Sequence, residues 1–367
     1  MTLLGFTFER APEPPPFPLK LISLPWVLPD LYREMQSADA EKSSRATKVL
    51  ARGTEEPWFV SFYDSPAMER ALENALQARF DLIWLEDTDM ARFMRCLPSD
   101  VPKVLDFHNV YSVMARRAAE SATCTKRAEL QWEAERTLRF ERRVAQQCQL
   151  AVVCSVTEAA AARELLGVTR IDVIPNGVDT CYYLPSCLEE RDKRLLFTGT
   201  MNHPPNEEAL LYLARDILPR IRRMVPNVEL HVAGKDPTPR VRALAAQGVV
   251  IHGAVPDMQP YFAAASVVVA PILSGGGTRL KILEAAACSK AIVSTTLGAE
   301  GLDLHHQEHL LIADSPEAFA DSVVHLLREP ATRRRLGGRA REASLRFDWT
   351  HIELKTAATV SSFSSGK

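Results

Sequence analysis

No apolar run in this chain reaches the roughly 18–20 residues that a membrane-spanning helix requires. Surplus charge is lacking too: 44 Lys and Arg stand against 46 Asp and Glu, with a formal net charge of -2 and a pI near 6.5. A nucleic-acid binder normally carries a basic face and a high pI, so this balance argues against that class. Cysteine is sparse and unpatterned. Seven residues (Cys96, Cys124, Cys148, Cys154, Cys181, Cys187 and Cys288) form no CxxC and no Cys/His cluster with zinc-ligand spacing. The odd count argues against a full disulfide framework and fits a reducing cytosol. The opening MTLLGFTFERAPEPPPFP lacks the basic region and long apolar core of a signal peptide. The expectation is a cytoplasmic protein.

Ordinary globular material makes up the rest. Apolar residues are 46% and charged residues 25% of 367, enough to bury large cores. That length suggests about two to three domains.

Short apolar runs alternate with helical patterns. Strands are expected at Thr2–Phe8, Leu19–Leu24, Trp58–Phe62, Asp81–Leu85, Val104–Phe107, Leu150–Cys154 and Ile171–Ile174. Helical stretches are expected at Asp30–Leu50, Ser65–Arg79 and Val110–Gln147, with Ser65 as cap, Pro66 in the first turn and Ser155 capping a further helix. The second half repeats this grammar. Strands are expected at Arg194–Phe197, Val228–Val232, Val249–His252, Ser266–Ala270 and Ala291–Ser294, and helices near Asn206–Arg223, Pro239–Gln247 and Arg279–Cys288. Such alternation implies right-handed βαβ crossovers and parallel sheets. The expected organisation is an α/β chain with two doubly wound domains, 1–180 and 190–345, then a C-terminal helix and frayed tail, 346–367. Parallel sheets bind ligands beyond the carboxyl ends of their strands, so a cleft between the two domains is the expected site.

The segment Pro271–Glu284, PILSGGGTRLKILE, is the richest in chemistry. Small residues Ser274–Gly277 follow an apolar strand, and Thr278 is placed to cap a helix starting at Arg279. Glycine lets backbone approach a ligand, and the unpaired N–H groups of a helix start attract phosphate. Arg279 adds a cation, and Glu284 is placed to accept from a ribose diol. The plainer alternative is a glycine turn before an amphipathic helix, with Lys281 and Glu284 as a solvent pair. His108, after the apolar KVLDF, should emerge at a strand's carboxyl end, where an imidazole can bind a sugar hydroxyl or stabilise developing charge. Its alternative is a turn histidine bonded to backbone. His203, His231, His252, His305 and His306 read as structural or solvated. Asp106, His108 and Ser112 do not make a hydrolase triad, because nothing resembles a nucleophile elbow.

SGGGTRLKILEAAACSKAIVSTTLGAEGL resembles the donor-site signature of the family 4 retaining glycosyltransferases, which have the GT-B fold. IPNGVD at Ile174–Asp179 resembles that family's hinge, LLFTGTMNHPPNEEA at Leu195–Ala209 its nucleotide-domain first strand and loop, and DFHN at Asp106–Asn109 its acceptor-domain histidine segment. Together these cover about residues 80 to 350. The resemblance implies catalytic roles for His108 and Arg279. It also implies a donor site in which Gly277, Thr278, Leu280 and Lys281 hold a diphosphate, Gly199 lets the opposing loop approach, the backbone at Val255 contacts the base and Glu284 binds the ribose. No metal or other cofactor is implied. The implied reaction is retaining transfer from a nucleoside-diphosphate sugar to a glycan or lipid-linked acceptor, in exopolysaccharide or cell-envelope glycan synthesis.

Three departures from that pattern stand out. Gly276 occupies the position where the family usually has a first glutamate, eight residues before Glu284. Thr200, Asn202, His203 and Asn206 stand where many members carry Arg and Lys, so Arg279, with Lys281 or Lys235, must supply the charge. TLLGFTF resembles the family's second strand, so the first strand and Gly-rich turn are expected to be missing. The alternatives are a truncated or inactive homologue that binds nucleotide-sugar without turnover, or a GT-B nucleotide-sugar 2-epimerase. A dinucleotide oxidoreductase lacks support, because no GxGxxG follows a strand. The basic residues of Val110–Gln147 (Arg116, Arg117, Lys126, Arg127, Arg136, Arg139, Arg142, Arg143) are interleaved with acids. They read as a solvated helix pair or as a peripheral contact with the inner face of an anionic membrane.

Overall fold

The computed structural model describes residues 2–7, 20–25, 56, 57, 59, 60, 63, 65–186 and 193–364. The chain divides into two compact units. Unit 1 comprises Met1–Val152, Ala161–Asp172 and Val360–Lys367; unit 2 comprises Val153–Ala160 and Val173–Thr359.

In unit 1, β1 (Thr2–Thr7) pairs in parallel with β2 (Lys20–Pro25). A four-stranded sheet has the order β3 (Ile83–Glu86), β4 (Lys103–Phe107), β5 (Leu150–Val153), β6 (Ile171–Val173). Val104, Leu105 and Phe107 are completely buried. Strands covered on both faces read as continuous apolar runs, which is why KVLDF and LAVV were legible. Ser65 caps the helix Pro66–Ala75 by accepting from the Met68 amide, with proline in the first turn. The expected helical stretch Val110–Gln147 is a helix pair, Tyr111–Ser121 and Cys124–Ala145. Buried Glu141 of the second accepts from the Tyr111 and Ser112 amides at the start of the first, 2.6 and 3.1 Å away. Arg136 is not solvated as expected: it is 1% exposed, bonded to Glu133 and stacked on Trp132.

Unit 2 is built on a six-stranded sheet of order β12-β11-β10-β7-β8-β9: β7 (Arg194–Thr198), β8 (Glu229–Ala233), β9 (Val249–Gly253), β10 (Val267–Ala270), β11 (Ala291–Ser294) and β12 (Leu311–Ile312). Every pair in it is parallel. The chain winds from β7 out to β9, then returns to place β10 on the other side of β7. The strand order therefore reverses between β7 and β10. Loops leaving the carboxyl ends of two such strands diverge and open a crevice.

Three further differences from the expected elements stand out. Phe59 and Val60, the described part of the expected strand Trp58–Phe62, are helical. The tail is a helix, Trp349–Ser364, rather than frayed through SSFS. The two-residue β12 was not expected: it is too short to leave a periodic signal. The expected helix Asp30–Leu50 lies outside the described residues.

Candidate donor and acid-base sites

The crevice at the reversal in unit 2 is lined by the loop after β7 and the loop after β10. Gly199 follows β7 with φ 143°, a conformation that side chains resist. A Cβ there would lie 2.8 Å from Asn206 Nδ2 and 3.0 Å from Lys281 Nζ. Gly234 after β8 is equally constrained, since its Cβ would fall 1.8 Å from the Gly199 carbonyl oxygen. These glycines let two strand ends close on each other and leave the Lys281 amine directly under Gly199.

Across the crevice, the glycine loop turns through Gly275 (φ 100°) and Gly277 (φ 68°) into the helix Leu280–Ala287. The Arg279 guanidinium folds back and donates to the Gly276 and Gly277 carbonyls, which braces the loop. Ser274 donates to Glu208 at 2.5 Å. The helix begins one residue later than expected, and its cap residue is Arg279, which makes no side-chain cap bond. Thr278 is therefore not the cap. Its amide and hydroxyl are directed at the Cys154 sulfur, and its oxygen accepts from Asn176 at 2.7 Å. Those anchors fix where the helix starts. Burial pushes the Cys154 thiol up to about 11.

Lys281 and Glu284 are not a solvent pair. Lys281 is buried; its Nζ donates to Asn206 Oδ1 at 2.7 Å and lies 4.3 Å from the centre of the Phe197 ring. Burial, and then the charge of Arg279, lower its pKa to about 7. Glu284 is half-buried, accepts from Tyr183 and has a pKa raised chiefly by burial. Leu280 is 44% exposed, and half-buried Val255 sits in the loop after β9, at the sheet's edge.

Three residues of this region were given no site role from the sequence. Partial burial lowers the His203 pKa, and the charges of Lys281 and Arg279 lower it further, so His203 faces the same cations. Asn206 also donates to the Thr200 carbonyl at 2.9 Å. Glu158 accepts from the Gly277 amide at 3.4 Å. The spacing Ser155-x-x-Glu158 signals a helix start, and Ser155 does cap there, but nothing local tells that the carboxylate reaches residue 277.

In unit 1, Glu86 and Asp106 are register partners at the carboxyl ends of β3 and β4. His108 follows β4. Its Nε2 is 3.1 Å from Glu86 Oε2, and its Nδ1 is 3.6 Å from Asp87 Oδ2. Tyr111 donates to the same Asp87 oxygen at 3.0 Å. The hydrogen bond to Glu86 is the main cause that raises His108 to about 9. Burial, and then Glu86, raise Asp106 to about 6; burial, and then Asp87, raise Asp89 to about 7. This histidine is therefore an imidazolium at neutral pH, a donor of charge-assisted hydrogen bonds. Glu86, Asp106 and His108 also present ligand atoms within 4.8 Å of one another, a donor set that a divalent cation can bridge. Carbon-bound proton NMR should show His108 titrating well above the ordinary histidine range. Glu86→Gln should bring the midpoint down towards about 6.5; an unchanged midpoint would remove Glu86 as its cause.

Comparison with known proteins fits this geometry. Residues 11–181 match the family described as Glycosyltransferase Family 4, and residues 192–329 match Glycosyl transferases group 1. The phosphatidyl-myo-inositol mannosyltransferase of Mycobacterium leprae is 31% identical over 201 residues, 52% of each chain. Among solved structures, the sucrose-phosphate synthase of Thermosynechococcus elongatus superposes with a TM-score of 0.67 at 18% identity, covering 84% of this chain and 78% of that one. Anabaena HepE, solved in complex with UDP, gives 0.61 at 17%, covering 80% and 82%. The fold is that of the GT-B glycosyltransferases. In these segments the chain is similar to glycosyltransferases of the family 4 type. It spans 36% to 52% of the length of the first curated relatives it matches. Among the described residues, no helix is long and apolar enough to cross a membrane.

Proposed function

We propose that the protein transfers a glycosyl unit, with retention at the anomeric carbon, from a nucleoside-diphosphate sugar to a glycan or lipid-linked acceptor in envelope or exopolysaccharide synthesis. The observation that supports this most is the convergence of Gly199, Gly277, Arg279 and buried Lys281 on the crevice where the strand order reverses. The close backbone approach at the glycines, the Arg279 cation and the basic Lys281 amine suit a diphosphate, whose negative charge grows as the glycosyl bond breaks. Leu280 contributes its first-turn amide, Thr278 holds the loop, Glu284 receives the ribose diol and the backbone near Val255 receives the base. His108, as an imidazolium, donates to the sugar and steadies charge at the reacting centre.

A thermal-shift screen against nucleoside diphosphates and their sugars tests the donor site. At a concentration near 100 Kd the matching nucleotide should add roughly 2.7 kcal/mol to apparent stability, while the other nucleotides move the transition little. No shift with any of them would sink the reading. Proton NMR of the product then reads the anomeric configuration, and inversion would overturn retention. Because protein cations supply the charge, turnover should survive EDTA. Loss of rate restored by Mn2+ would instead place a cation on Glu86, Asp106 and His108.

A further inference from the structure

Resting on the donor-diphosphate reading of the crevice, we propose that donor binding is coupled to proton uptake by the Lys281 amine, and that Asn206 is the positioning residue that holds this amine under Gly199.

The geometry leaves the amine little access to water. Lys281 is 8% exposed, with the Phe197 ring on one side and the Gly199 backbone on another. Its Nζ donates to the neutral amide oxygen of Asn206, 2.7 Å away. Asn206 cannot turn its other end to the lysine without losing the bond from Nδ2 to the Thr200 carbonyl. Its orientation is thereby fixed, and its Oδ1 can accept from either the amine or the ammonium form.

The charged neighbours are few. Arg279 faces the lysine from the glycine loop, and His203 faces it from the loop after β7. Glu284, one turn along the same helix, is the opposing acid, and its own ionisation is hindered by burial. Burial and Arg279 thus disfavour the ammonium in the free protein, consistent with a pKa near 7. A diphosphate drawn to the Gly199 backbone places negative charge beside that amine, which favours the charged form. A ligand that raises a group's pKa takes up protons on binding. The step is a simple protonation: the nitrogen lone pair accepts a proton from solvent, and no other bond changes.

Calorimetric titration in buffers of differing ionisation enthalpy counts the protons. The probes are UDP-glucose, GDP-mannose and ADP-glucose, whose diphosphates do not titrate near neutral pH. With whichever binds, uptake should approach about one proton per donor at pH 8.5 and fall towards zero near pH 5.5, as a raised lysine pKa requires. Lys281→Arg, cationic throughout, should bind without uptake. Asn206→Asp should abolish uptake by charging the amine beforehand through an ion pair, with the fold checked by circular dichroism. His203→Gln should leave uptake in place. Binding with no uptake by the parent protein, or uptake persisting in Lys281→Arg, overturns the coupling but not the donor site. Uptake persisting in Asn206→Asp overturns the positioning role. Failure of all three probes to bind overturns the donor reading, and this inference with it.

Discussion

Arg279→Ala is expected to weaken nucleotide-sugar binding about 10- to 100-fold. The guanidinium does two things in unit 2: it brings a permanent positive charge to the glycine loop, and it ties that loop together through the Gly276 and Gly277 carbonyls. Hydrogen bonds to charged groups contribute about 1.5–3 kcal/mol, and each 1.4 kcal/mol is a tenfold change in affinity. Arg279→Lys separates the two contributions. It keeps the charge but not the placement of the Nη1 donor that bonds both carbonyls, so binding should recover only in part. Calorimetry measures both variants. Unchanged affinity in Arg279→Ala would remove this residue from the donor site.

The second large effect is expected at His108. Its replacement by alanine should lower kcat roughly 100- to 1,000-fold, the usual cost of losing one preorganised donor at a developing charge. Affinity for the nucleoside diphosphate alone should stay nearly constant, because the residues assigned to it all lie in unit 2. The pH profile gives an independent check. Glu86 raises the His108 pKa to about 9, so the imidazolium is present at neutral pH and is lost as pH rises through that value. Wild-type turnover should therefore decline on the alkaline side near 9, and in Glu86→Gln the decline should begin at lower pH. A profile indifferent to Glu86→Gln would mean that His108 acts without its charge, or not at all.

Much of the fold could be read from local pattern. Buried parallel strands are runs such as SVVVA and LLFT, and helix starts carry their own chemistry, as at Ser65 and Ser155. The glycine-to-helix junction was legible because loops of this kind need small residues whatever surrounds them. Where local pattern misled, a tertiary contact had prevailed. Thr278 has the chemistry of a cap, yet Asn176, 102 residues away, and Cys154 hold it, so the helix starts at Leu280. Arg136 looks like any other residue of a charged helix, yet it is buried against Trp132.

Hydrophobic period and glycine placement, both properties of near neighbours along the chain, were enough to determine the alternation of strands and helices, the parallel pairing that follows from it and the glycine-to-helix junction. The charge state of the functional groups was decided only by packing. Lys281 meets Asn206 across 75 positions, and His108 meets Glu86 across 22. A lysine in the first turn of a helix and a histidine after a strand look alike in sequence whether they are hydrated or enclosed. Desolvation and the sign of the nearest charge set their protonation, and both depend on which distant segments fold against them.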